Sequence, residues 1–124
     1  MWTVASWRVA IDFPEILQIM TMTDMKNLER LPVLGKLTPR ATNAFWAYDT
    51  AALADGAIPK KYKELMAIAV ALTTQCGYCI EVHKQAATAA GATEEEFSET
   101  VHIAAVLRAG AAITHGTHLL SDPS

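Results

Sequence analysis

The chain has 124 residues, of which 52% are hydrophobic and 19% charged, with a formal net charge of −3. That length and composition describe one globular domain and exclude a disordered chain. The mildly acidic balance offers no basic surface to nucleic acid or to an anionic membrane, and no apolar run approaches the roughly 20 residues of a membrane span.

The N-terminal stretch 1–22 is apolar but is interrupted by Arg8, Asp12, Pro14 and Glu15. It lacks the basic start and unbroken apolar stretch of a secretory signal. It reads as an extension that can stand outside the core, with Met20, Met22 and Met25 as alternative starts. Residues 23–124 read as a single domain. A cytoplasmic location is expected, where a cysteine pair serves catalysis, redox sensing or metal binding more often than structure.

Thr38-Pro39 is a helix start, with Thr38 as cap and Pro39 in the first position. From Arg40 to Ala54, Ala44, Ala47, Tyr48 and Ala51 recur at helical spacing, and Asp55-Gly56 ends the run. Pro59 opens the next helix. Leu65, Ile68, Ala69 and Leu72 form its apolar stripe, Met66 and Val70 widen it, and it runs to about Thr74. Gln75-Cys76-Gly77 is a break, because glycine is a poor helix former. A helix over Tyr78 to Ala90 then ends at Gly91. Thr93 and Glu96 have capping-box spacing, which opens a last long helix from Glu94 to about His115. No sustained alternation marks a strand. The expected fold is all-α, a compact helical bundle packed around the helix N-terminus that carries the cysteines. Its alanine faces (Ala67, Ala69, Ala71; Ala86, Ala87, Ala89, Ala90) permit close approach.

Both cysteines lie in one run, Cys76-Gly77-Tyr78-Cys79, and His83 follows four residues later. A disulfide across so short a loop removes little entropy from the unfolded chain, so the pair is a poor structural staple. It is well placed to open and close. The thiols fall at a helix N-terminus, whose partial positive charge favours thiolate. His83, one turn beyond Cys79, has a side chain suited to exchange a proton near neutral pH. Glu64 stands at the edge of an otherwise apolar stretch one helix upstream. If the two helices pack antiparallel, Glu64 approaches His83 and orients its ring, which gives nucleophile, base and orienter. The Tyr78 hydroxyl is a further candidate for ordering the site.

The run Glu64, Cys76-Gly77-Tyr78-Cys79, His83, with the approach Lys61-Tyr62-Lys63-Glu64-Leu65, resembles the signature of the AhpD-like alkyl hydroperoxidases of the carboxymuconolactone decarboxylase superfamily. The likeness covers about Leu37 to Leu120. It implies an all-helical fold assembled into homo-oligomers, trimers or hexamers. It implies an antioxidant peroxidase or disulfide reductase that needs no bound cofactor or metal. Cys79 would attack a hydroperoxide or disulfide substrate, Cys76 would resolve the product as a Cys76–Cys79 disulfide, and Glu64 and His83 would relay protons. A thiol or a lipoyl-bearing protein would return the electrons. This chain is a single short repeat, whereas AhpD has a longer, duplicated helical body.

Two other readings stand beside this one. The same superfamily contains lyases that decarboxylate carboxymuconolactone by acid–base chemistry, but the resemblance implies that they generally lack the cysteine pair. The C-x-x-C could also be half a zinc site, though zinc commonly takes four ligands and the sequence near the pair supplies only His83. His115 and His118, near the end of the last helix, suit capping or an interface. Trp2, Trp7 and Trp46 are read as packing or interface residues.

Overall fold

A computed structural model describes residues 24–122, so the 1–22 stretch lies outside the described residues. The chain divides into two compact units, Met1–Thr38 and Pro39–Ser124. In the first, Asp24 caps a 3-10 turn over Met25–Arg30, accepting the Lys26 N–H at 3.0 Å, and helix α1 follows over Leu31–Leu37. Neither element was expected from the sequence. Thr38, expected to cap the following helix, turns its hydroxyl backward. Both its N–H and its Oγ1 donate to the Leu34 carbonyl, at 3.0 and 3.1 Å, and close the end of α1.

The second unit contains four helices: α2 (Pro39–Leu53), α3 (Lys60–Thr74), α4 (Gly77–Ala89) and α5 (Glu94–Gly116), with a 3-10 turn, Thr117–Leu119, at the end. Among the described residues there is no strand. The fold is all-α, and each helix lies within one or two residues of its expected bounds.

Each junction satisfies the backbone groups that helix ends leave unpaired. Between α2 and α3, Asp55 Oδ1 accepts the Lys60 N–H at 2.7 Å. Lys63 reaches back from α3 to the Ala52 and Ala54 carbonyls, at 3.0 and 2.6 Å, and so caps the preceding helix with a cation. Between α3 and α4 the reversal takes two residues, Gln75 and Cys76. Gln75 adopts the left-handed conformation at φ 58°, and the N–H groups of Gln75 and Cys76 both donate to the Ala71 carbonyl. The break expected over Gln75-Cys76-Gly77 falls on its first two residues, and Gly77 is the first residue of α4. Between α4 and α5, Gly91 takes φ 89° and Thr93 opens the expected capping box. Thr93 Oγ1 accepts from the Glu96 N–H at 3.2 Å, and Glu96 Oε2 accepts from the Thr93 N–H at 3.0 Å.

The core lies where α3, α4 and the start of α5 meet. Leu65, Ile68 and Ala87 are its buried members, and Leu72, Ala92 and Phe97 pack against them. At the edge of that core, the second carboxylate oxygen of Glu96 pairs with Lys61 at 2.6 Å, tying the first turns of α3 and α5 together.

Two predictions follow from these junctions. The Lys61 hydrogen bond, helped by the Thr93 N–H, holds the Glu96 carboxyl below its ordinary value of 4.5. A depressed carboxylate contributes stability that is present above its unfolded pKa and lost as pH falls through the folded one. Glu96→Gln keeps the capping geometry but removes this titration, so its Tm should fall less than that of wild type between pH 5 and strongly acid solution, as calorimetry across pH will read. At Gln75 the left-handed backbone disfavours any residue with a Cβ. Gln75→Gly should equal or exceed wild type in denaturant unfolding, and Gln75→Val should lose about 1–2 kcal/mol.

Candidate active site

Glu64 lies in the second turn of α3 and is only 2% exposed, a rare condition for a carboxylate. Burial of an unpaired charge is costly, so the group needs a partner. The partner is His83 on α4, whose Nδ1 lies 2.8 Å from Glu64 Oε2. The reversal at Gln75-Cys76 brings together two residues 19 apart in the chain. A carboxylate only accepts hydrogen bonds, so Nδ1 carries the proton and donates. When the ring is neutral, its lone pair is therefore on Nε2. The His83 side chain is about one-fifth exposed. Among the described residues no buried side-chain nitrogen or oxygen lacks a hydrogen-bond partner.

The cysteines occupy the beginning of α4. Cys76 is the N-cap residue, in extended conformation, and its Sγ accepts the Cys79 N–H at 3.3 Å. Cys79, in the first turn, is joined to it in a Cys76–Cys79 disulfide, and both residues are half-buried. His83 follows Cys79 by four residues and shares its helix face. Tyr78, half-buried, is the second residue of α4 and points about 100° around the helix from Cys79. The structure thus forms two pairs, Glu64 with His83 across α3 and α4, and Cys76 with Cys79 at the start of α4. The role of Cys76 as a cap was not read from the sequence, although an N-cap preference for side chains that accept hydrogen bonds points to it.

An apolar groove of about 370 Å³ runs elsewhere, between α3 and α5, lined by residues that include Tyr62, Leu65, Met66 and Ile103. None of the four paired residues lines it. Lys61 Nζ stands 4.9 Å from the centre of the Tyr62 ring near its end. His115 and His118 stack with ring centres 6.1 Å apart, both exposed. Among the described residues, no three His, Cys, Asp or Glu side chains converge as a metal site requires.

Residues 39–122 match the model of the carboxymuconolactone decarboxylase family. The chain belongs to that family. It is 46% identical to uncharacterized protein 4 in the cox locus of Paracoccus denitrificans, over 81% of this chain and 93% of that protein. A carboxymuconolactone decarboxylase family protein from Legionella pneumophila, solved in its apo form, superposes with a TM-score of 0.65 at 34% identity, covering 71% of this chain and 79% of that one. A protein from Methanobacterium thermoautotrophicum superposes with a TM-score of 0.66 at 27% identity, over 69% of this chain and 97% of its own. Among the described residues no helix is long and apolar enough to cross a membrane.

The Glu64–His83 pair makes a spectroscopic prediction. Nitrogen-15 shifts in neutral solution should show His83 held with its proton on Nδ1. In Glu64→Ala the ring loses the acceptor that holds this tautomer, and the shifts should move toward the mixture of a free imidazole. The same substitution should cost about 1–3 kcal/mol by stranding a hydrogen-bonding group.

Proposed function

We propose that this protein is a thiol-dependent antioxidant oxidoreductase that cycles between the Cys76/Cys79 dithiol and its disulfide. The observation that carries the reading is the oxidised pair at the start of α4, on the same helix as a histidine held by a buried carboxylate. Cys79 is the nucleophile, since it shares the His83 face of the helix. His83 Nε2 takes the Cys79 thiol proton. The thiolate attacks the O–O bond of a hydroperoxide, giving Cys79 sulfenic acid, and the proton passes to the departing alkoxide, which leaves as the alcohol. The Cys76 thiol attacks the sulfenic sulfur, water leaves, and the Cys76–Cys79 disulfide forms. A dithiol such as a lipoyl group, or two equivalents of a small thiol, reduces it and is itself oxidised to a disulfide. With a disulfide substrate, Cys79 attacks sulfur and Cys76 displaces it by exchange. Glu64 keeps His83 in the tautomer that presents Nε2, and Tyr78 borders the site. The reducing cytoplasm fits a pair that must be re-reduced at each turnover.

The exposed apolar side chains of α2 and α5, among them Phe45, Trp46, Val106 and Ile113, support a homo-oligomer. The family match also supports a second reading, a lyase acting on a carboxymuconolactone through Glu64 and His83 without the thiols.

One set of assays separates them. Consumption of an organic hydroperoxide with excess dithiol should vanish in Cys79→Ser and fall about 10²–10⁴-fold in His83→Ala. Cys76→Ser should accumulate the sulfenic acid, which a dimedone-type reagent labels. Full peroxide and disulfide turnover in Cys79→Ser would overturn the redox reading. Loss of carboxymuconolactone absorbance that survives in the same variant would establish the lyase.

A further inference from the structure

The reversal that builds the site also sets two opposed helix ends against each other. The cysteines stand at the N-terminus of α4, which carries partial positive charge. Just upstream α3 ends, and its last carbonyls carry partial negative charge. Cys76 belongs to both ends. Its side chain caps α4, while its N–H donates to the Ala71 carbonyl of α3 at 3.0 Å. Left unopposed, the end of α3 offsets the field with which α4 favours a thiolate.

Arg108 opposes it. Its guanidinium donates to the carbonyl of Thr73, in the last turn of α3 and three residues before Cys76. The arginine comes from α5, 35 positions along the chain. Between Glu99 and His115 the sequence holds no other formally charged residue, and the neighbouring Val106 and Leu107 are exposed and apolar. The one charge on this stretch of α5 is thus turned onto the end of α3. Arginine stays protonated at every pH at which a thiol titrates, so the charge is constant.

The neighbouring carbonyls are closed by neutral donors. Val70 accepts the hydroxyls of Thr73 and Thr74, at 2.7 and 3.0 Å, and Ala71 accepts the N–H groups of Gln75 and Cys76. Such donors satisfy hydrogen bonds but bring no net charge. The other ionisable groups on these helices are differently placed. Glu64 engages His83, and Glu81 accepts from Gln85 at 2.9 Å. Tyr78 and Lys84 lie on α4 itself, and His102 lies on α5. Lys60, Lys61 and Lys63 occupy the opposite end of α3.

We propose that Arg108 tunes the Cys76/Cys79 pair from α5. By fixing a positive charge on the α3 side of the reversal, it raises the thiolate fraction and so favours the dithiol over the disulfide. This rests on the redox reading of the pair. Arg108 is a positioning residue: it takes no proton and forms no bond in the cycle, and acts through the helix end it closes.

Two measurements on the full chain test this. In Cys76→Ser, alkylation rate against pH reads the pKa of Cys79. Adding Arg108→Gln should raise that pKa by about 0.2–0.7 units. Arg108→Lys keeps the charge and should stay nearer the parent value. With both cysteines present, the protein is equilibrated with reduced and oxidised glutathione in mildly alkaline solution. Two glutathione thiols reduce the Cys76–Cys79 disulfide and leave as glutathione disulfide. The equilibrium constant for this reduction should fall about two- to five-fold in Arg108→Gln. Added salt should narrow both differences, because the arginine is exposed. A role confined to closing α3 would lower Tm and leave both thiol readouts unmoved, and that result overturns the proposal. So does an Arg108→Lys shift as large as that of Arg108→Gln. Neither readout uses a peroxide. If the wild type consumes no hydroperoxide while both shifts appear, the peroxidase reading fails and the tuning stands; turnover with neither shift sinks the tuning alone.

Discussion

The two-residue reversal at Gln75 and Cys76 is the constraint on which the rest of the second unit depends. It ends α3, starts α4 and fixes their antiparallel pairing in one step. The Ala71 carbonyl receives both N–H groups of the turn. Leu65 and Ile68 then face Ala87, and Glu64 faces His83. A longer connection would leave the register of these helices to side-chain packing alone. Here the backbone settles it, at the cost of placing a glutamine where glycine is favoured.

A buried carboxylate is seldom a gain in stability. Removing a charge from water is expensive, and a well-packed apolar residue of similar size often serves better. Glu64 occupies a position beside the core where leucine would pack, and its hydrogen bond to His83 makes that burial tolerable. What the carboxylate adds is direction: one ring nitrogen is engaged, and the other is left to exchange protons. An arrangement that spends stability on orientation is typical of chemical sites.

Much of this arrangement was legible in the chain. The helices of the second unit follow from apolar spacing and from Pro39, Pro59 and Thr93, because local signals govern helix ends. The capping box of Thr93 and Glu96 needed only four consecutive residues to read. The approach of Glu64 to His83 was conditional on antiparallel packing, which the sequence could suggest through its break but could not establish. The reversal falls within the expected run Gln75-Cys76-Gly77, but for another reason: Gly77 is helical and the left-handed residue is Gln75, which carries no propensity for it. The first unit was missed because α1 is short, and Pro32 within its first turn reads as an interruption until the turn before it is known. Lys63 could not be assigned at all, because its partners are backbone carbonyls of another helix, which leave no mark on side-chain pattern.

That lysine ties two helices through one side chain. Lys63 is a residue of α3, yet its ammonium donates to the Ala52 and Ala54 carbonyls at the C-terminal end of α2. The helix that bears the buried glutamate thus also supplies the cap of the helix before it, so a change at residue 63 is felt one element upstream of the helix that carries it.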